Sequence, residues 1–521
     1  VRPCTLVIVA TTALWACAEP PTFRHATLTR AQRPDTPGGS ELYRYDPGDV
    51  VEHLDSAGGR FRVHFTRTGR HAVPLADADT DGVPDHVQAV AATYDQVDTY
   101  YASTLGLRQP LTDLSVTGGN GGDGRFDVYL LDFALAADGM FARESCLPAM
   151  PDQCTGYMVQ ENDFAGYGYP SLEAAIRTLA SHEYFHAVQA AYDADQGSIL
   201  AEGTAVWATE RFDPFLDDFE HMVDGYLSNA DRSLDVPLPG PVDRFSYGTA
   251  LFFRFLDERH GPSIIRDILE STVDGAGGQA DPGWFSQLPG VLAGHGTTFP
   301  DEFLRFATWN LFTGRWADRT QAYQDADRYP TVGVETVSLP HQEVSRRVFY
   351  ASAHYLGASP GGRTEVTAAL VPSPTQPDAL TGLRLVLGVR RSSTQETPVV
   401  VDPATQEPPV LAAGGATQVV VVVVNTAPSG SSRKPGLCVG SPEEVARCKA
   451  DLLGSLAPNA GVLAPDAGPP PPPDGGAPGS GGDPGGEDGD SRPFHCSSTP
   501  GGTSLLGLLA VVTLGRRWRS R

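Results

Sequence analysis

Apolar positions along the chain recur with two different periods, and the change of period divides it. From Ser171, "SLEAAIRTLASHEYFHAVQAAYD" holds neither proline nor glycine, and Leu172, Ala175, Ile176, Leu179 and Ala180 recur at helical spacing. Ser171 is placed to cap that helix, with Pro170 just outside it. Helical patterns also run through "HVQAVAATYDQVDTYY", "SILAEGTAVWATE" and "DRFSYGTALFFRFLDERHG", whereas "GGNGGDGRFDVYLLDF" reads as a glycine turn followed by a strand. Beyond about residue 331 the pattern becomes alternating and β-branched, in "TEVTAALV", "LRLVLGV" and "TQVVVVVVN", between Pro/Gly/Ser turns. The expected fold class is an α+β domain over 61–330, then a small all-β, sandwich-like module over 331–456 that ends in a short cysteine-closed segment.

The apolar content then vanishes. "PDAGPPPPPDGGAPGSGGDPGGEDGDS" cannot bury enough surface to order itself, so 457–495 reads as a linker. The final segment, 496–521, puts Cys496, a short apolar run and an arginine cluster in order. The run from Ser504 to Leu514 is short for a helix across a full bilayer, and the arginines would stay on the cytoplasmic side. At the other end, Arg2 precedes an apolar run and then small residues, the layout of an export signal over 1–18. Leu14-Trp15-Ala16-Cys17 fits a lipobox with Cys17 lipidated, and Ala16-Cys17-Ala18 fits ordinary signal cleavage; both readings export the chain. Residues 19–60 form an N-terminal segment before the α+β domain.

Export allows disulfides. Cys146 pairs naturally with Cys154, and Cys438 with Cys448, since each pair closes a short loop. The formal net charge of −25 over 521 residues disfavours nucleic acid as a partner, because such a surface repels phosphate. The membrane enters only through the terminal anchors, and the partners implied are a peptide or protein substrate and the export and sorting machinery.

The chemistry concentrates in "HEYFH". His182 and His186 lie four apart, on one face of the expected helix, and Glu183 sits beside the first. Zinc takes two neutral imidazoles, and a glutamate outside the ligand set can move the proton of an attacking water. A third ligand is needed. The metzincin completion requires a glycine and then a histidine where this chain has Gln189 and Tyr192. Glu202, at the start of "EGTAVWATE" on the next helical pattern, is the remaining candidate, with Gly203 letting the two helices approach closely. His182, His186 and Glu202 are thus the expected zinc ligands and Glu183 the general base, although the ligand set also suits other divalent metals.

These stretches carry a resemblance. "HEYFHAVQAAYD" and "EGTAVWATE" resemble the peptidase-MA-like gluzincins, in which HExxH is followed by an EG-x-A helix. Together with the C-terminal segment, which resembles the myxobacterial sorting tail with its single cysteine, here Cys496, they look like the secreted metallopeptidases of myxobacteria. The resemblance spans roughly residues 60 to 330 and the tail. It implies a zincin-like domain, peptide-bond hydrolysis, processing near Cys496 and display at the cell surface. The exopeptidase motif of the aminopeptidase branch is missing. The resemblance also suggests Tyr247, before a later apolar helix, as a donor to the reaction's oxyanion; the plainer reading is a packing tyrosine at a helix end. His260 reads as a helix C-terminal cap and His221 as an outside candidate for that donor. Asp193, Asp195 and Glu210 are candidates to hold the second nitrogen of a ligand histidine.

Asp77, Asp79, Asp81 and Asp85, in "DADTDGVPDHV", follow a calcium-loop rhythm without the closing glutamate, which is Gln88. A structural calcium and a plain acidic turn before a helix both fit. The Phe126–Phe133 strand is either the edge strand that pairs with extended substrate or an interior strand of the same sheet. Two functions follow: a surface-tethered zinc endopeptidase, or a non-enzymatic surface or adhesion protein on the same scaffold. Glu183 favours the first, since a binding-only protein has no use for the base. No GxSxG serine-hydrolase element occurs.

Overall fold

The computed structural model describes residues 33–36 and 43–454, apart from short breaks at 115, 117–119, 238–241, 276–280, 373–375, 377, 393 and 431. The export signal with Cys17, the linker and the tail with Cys496 lie outside the described residues. The chain is mixed α+β with several sheets. Among the described residues no helix is long and apolar enough to cross a membrane.

The first part is a five-stranded sheet covered by helices. Its strands are β1 (Glu52–Asp55), β2 (Phe61–Phe65), β3 (Phe126–Leu131), β4 (Gly139–Leu147) and β5 (Met150–Glu161), in the order β1-β2-β3-β5-β4. β2, β3 and β5 run parallel, while β1 and β4 are antiparallel edges. β1 comes from the N-terminal segment placed before residue 61, so that segment contributes a strand. Arg33 from the same segment is buried against Asp127 of β3 and Glu144 of β4, which pins it to the sheet.

Helix α1 (Asp85–Thr99), extended by a π-turn at Tyr100–Thr104, and helix α2 (Leu172–Gln189) cover the sheet. Ser171 caps α2 by accepting from the Ala174 amide at 3.0 Å. From Leu179 onward every residue of α2 is buried, which is why the amphipathic stripe of its first turns disappears there. Tyr101 Oη and Tyr184 Oη tie α1 and α2 together, through the Ser181 carbonyl at 2.8 Å and Asp98 at 2.7 Å. Helices α3 (Ser198–Phe212), α4 (Asp218–Met222), α5 (Asp224–Leu227), α6 (Arg244–Gly248), α7 (Ala250–His260), α8 (Ser263–Ser271), α9 (Trp284–Gly294) and α10 (Phe299–Trp309) complete this part.

Two further sheets follow. β11 (Thr394–Gln395), β10 (Leu383–Arg391), β14 (Gln418–Asn425), β8 (Ser352–Ala358) and β6 (Glu335–Val337) form one, with β12 (Val399–Val401) against β10; β13 (Leu411–Ala412), β9 (Glu365–Val371), β15 (Gly436–Gly440) and β7 (His341–Glu343) form the other. Helix α11 (Pro442–Gly454) is joined to β15 by the Cys438–Cys448 disulfide. The valine run of β14 is explained by its two neighbours. Val419, Val421 and Val423 enter the core between the sheets, and Val420, Val422 and Val424 enter the core shared with the helices. A strand buried on both faces needs apolar residues at every position. Tyr355 Oη reaches the Ala307 carbonyl at 2.7 Å across the same boundary.

Candidate metal centre

Helix spacing brings His182 and His186 to one face, with ring centroids 5.1 Å apart, and polar atoms of His182, Glu183 and His186 lie within 4.8 Å of one another. Helix α3 runs beside α2 and supplies Glu202. Its Oε2 lies 3.2 Å from His182 Nε2 and 3.7 Å from His186 Nε2. All four side chains are buried.

Burial pushes both imidazoles down to about 4, with the Asp138 carboxylate opposing it at His182 and Glu202 opposing it at His186. Both rings are therefore neutral near pH 7, the form that binds a metal. Burial also raises Glu202 to about 7, against the pull of His186. Glu202 Oε1 is buried with no hydrogen-bond partner among the described residues. A buried carboxylate in that position is stabilised as an anion by a nearby cation. Two neutral imidazoles and one such carboxylate are a donor set that fits zinc.

The edge of the sheet meets this cluster. Among the described residues β4 pairs with β5 alone, and the Phe141 amide, on its other edge, donates to Glu183 Oε2 at 3.1 Å. The Asp138 carbonyl accepts from Glu161 on the other side at 2.8 Å. Antiparallel alternation then turns the backbone groups of Gly139 and Phe141 outward. Gly139 lets β4 lie against α2, because a Cβ there would meet Leu179 Cδ2 at 2.8 Å. The Cys146–Cys154 disulfide crosses the β4–β5 hairpin at paired positions.

Tyr247 lies in α6, which Asp243 caps, with its ring centroid 6.0 Å from that of His182. It is thus beside the cluster. His260 lies at the end of α7, 3.5 Å from Glu302 and beside the His295 ring, away from the cluster; the capping position itself is Gly261. His221 is on α4, where its neighbour is Asp218.

The Phe126–Phe133 stretch holds β3, an interior strand with partners on both sides, which is the second of the two readings of that stretch; the edge strand at the cluster is β4. Other expectations are corrected. Gly203 makes room for α7: a Cβ there would meet Thr249 Oγ1 at 2.5 Å and Phe253 Cε2 at 2.7 Å. The partner of the His186 Nδ1 atom is Gln189 Oε1, at 2.8 Å. Asp193 instead accepts from the Asp195 amide and Gln196, and Asp195 pairs with Arg143. Glu210 is buried on α3, where burial and the Glu220 charge raise it to about 8.

In the acidic loop, oxygens of Asp77, Asp79 and Asp85 lie within 4.8 Å of one another. Asp81 is not of that group. Its oxygens accept from the Val83 amide at 2.8 Å and Gln88 Nε2 at 2.9 Å, so the loop's third acid serves the turn and the helix.

Gln189 and β4 are the neighbours of the cluster that sequence reasoning missed. Gln189 lies three residues after His186, on the same helix face, a signal open to reading. Nothing local marks β4 as the edge, because sheet order is set by long-range pairing. No protein-family model matches the chain, and no curated protein matches it.

Proposed function

We propose that the protein is a zinc-dependent endopeptidase of gluzincin type on a zincin-like scaffold, exported and held at the cell surface by its terminal segments. The observation that carries this reading is the convergence of His182, His186 and Glu202 beside Glu183, at the edge strand β4. His182, His186 and Glu202 would hold the metal, and zinc bound there would supply a Lewis acid for the scissile carbonyl and a lowered pKa for water. Glu183 takes a proton from the attacking water and delivers it to the leaving amine. The Phe141 amide holds one oxygen of Glu183, which orients the carboxylate. An extended substrate would add along β4 through its outward backbone groups other than the Phe141 amide, which Glu183 holds, so that main-chain pairing positions the bond to be cut. Tyr247 donates to the developing oxyanion from the His182 side. The two disulfides suit an oxidising compartment outside the cytoplasm. Calcium at Asp77, Asp79 and Asp85 would brace the entry to α1.

The test is cleavage of a peptide library by the full chain, with and without a chelator, beside Glu183→Gln. Chelator-sensitive cleavage that is lost in the variant supports the reading. Zinc-loaded protein that cleaves nothing in the library favours the surface-binding alternative.

A further inference from the structure

A directional hydrogen-bond chain runs from α3 to His186. Thr204 Oγ1 lies 2.7 Å from the Leu200 carbonyl oxygen one turn back, and that contact uses the hydroxyl's only hydrogen. Toward Gln189, 2.7 Å away, the same oxygen can only accept. The Ala201 carbonyl, 2.8 Å from the same end of the Gln189 amide, can also only accept. Two acceptors at one end require the NH2 group there, so Oε1 must face His186. The atom it meets, Nδ1 at 2.8 Å, must then carry the hydrogen. In a neutral imidazole with Nδ1–H, the lone pair is on Nε2, the nitrogen that faces Glu202. Gln189, Thr204 and His186 are all buried, so water does not compete for these bonds.

We propose that Gln189 is the positioning residue of the metal centre. Its amide, clamped by Ala201 and Thr204 of α3, holds His186 in the Nδ1–H tautomer and in the rotation that presents Nε2 to the metal. The clamp also couples the helix carrying the two histidines to the helix carrying Glu202. This rests on the zinc reading above. Turning the amide over would set its oxygen against two acceptors, so the network admits one direction only. Such partners typically change metal affinity 10–100-fold.

The experiment measures zinc affinity of the full chain by competition with a chromogenic chelator, together with melting of the metal-free protein. Gln189→Met is near-isosteric and removes every polar contact. Its zinc Kd should rise about 10–100-fold. Thr204→Val should weaken zinc in the same direction, and Thr204→Ser, which keeps the hydroxyl, should restore the parent affinity. If Gln189→Met does not fold, the Thr204→Val and Thr204→Ser pair decides. A lower melting temperature with unchanged zinc affinity makes Gln189 a packing residue and overturns the proposal while leaving the zinc site intact. A parent chain that binds no zinc overturns both.

Discussion

The backbone amide of Phe141 donates to Glu183 Oε2 at 3.1 Å, so the edge strand β4 and helix α2 meet at the proposed base. On the proposed function, the position of β4 sets both where a substrate strand would lie and where Glu183 points. That closeness depends on Gly139, which faces Leu179 of α2. Gly139→Val should push β4 outward and lower kcat/KM by about 10²-fold, the scale of a 1 Å misplacement. Zinc content should not change. Peptide-cleavage kinetics beside metal analysis checks this, and unaltered kinetics would show that β4 does not position the reaction.

The Cys146–Cys154 bridge closes an eight-residue separation across the β4–β5 hairpin. Replacing both cysteines by serine should cost about 2–3 kcal/mol through the entropy of the unfolded chain. Thermal melting with and without reductant measures the loss. The parent should fall toward the variant on reduction, and a variant as stable as the oxidised parent contradicts the estimate.

Zinc that binds only the folded chain stabilises it by mass action, about 4 kcal/mol at a thousandfold excess over Kd. A chelator should therefore lower the parent's melting temperature and leave Glu202→Ala unaffected. An equal response from both proteins would remove Glu202 from the ligand set.

Glu210 provides a pH dependence independent of the metal. Its carboxyl titrates at about 8 in the folded chain, against an ordinary 4.5, because of burial first and the Glu220 charge second. A raised carboxylic pKa means that the folded state holds the proton more tightly. Its contribution is complete below about pH 4.5 and is lost as pH rises to about 8. Glu210→Gln imitates the protonated form. Its stability gain over the parent should grow across that window, to on the order of 5 kcal/mol. Urea unfolding at pH 5, 7 and 9 reads it, and a gain that does not vary with pH would count against it.

The local parts of this architecture were legible in the sequence. The Ser171 cap, the α2 stripe and the two short-loop cysteine pairs depend on residues near one another, and each is found where local patterning places it. The double burial of β14 is written in its unbroken valine run. Long-range pairing was not legible. Nothing within β3 or β4 alone distinguishes an interior strand from an edge, and only the strand order makes one interior and the other an edge. Gly203 shows the same limit: its missing Cβ implies a close neighbour, but α2 and α7 are equally plausible until the helices are packed. Gln189 occupies the position where a different metal-site pattern requires glycine, and beyond its spacing from His186 nothing in the local sequence marks it. Its role depends on Ala201 and Thr204, which lie on another helix.

The most direct test of the account is the zinc content of the full chain, purified without chelator and measured by elemental mass spectrometry. The account predicts one zinc per chain in the parent and in Glu183→Gln, and none in His186→Ala or Glu202→Ala. A parent chain without zinc, or one whose zinc survives loss of His186, contradicts it.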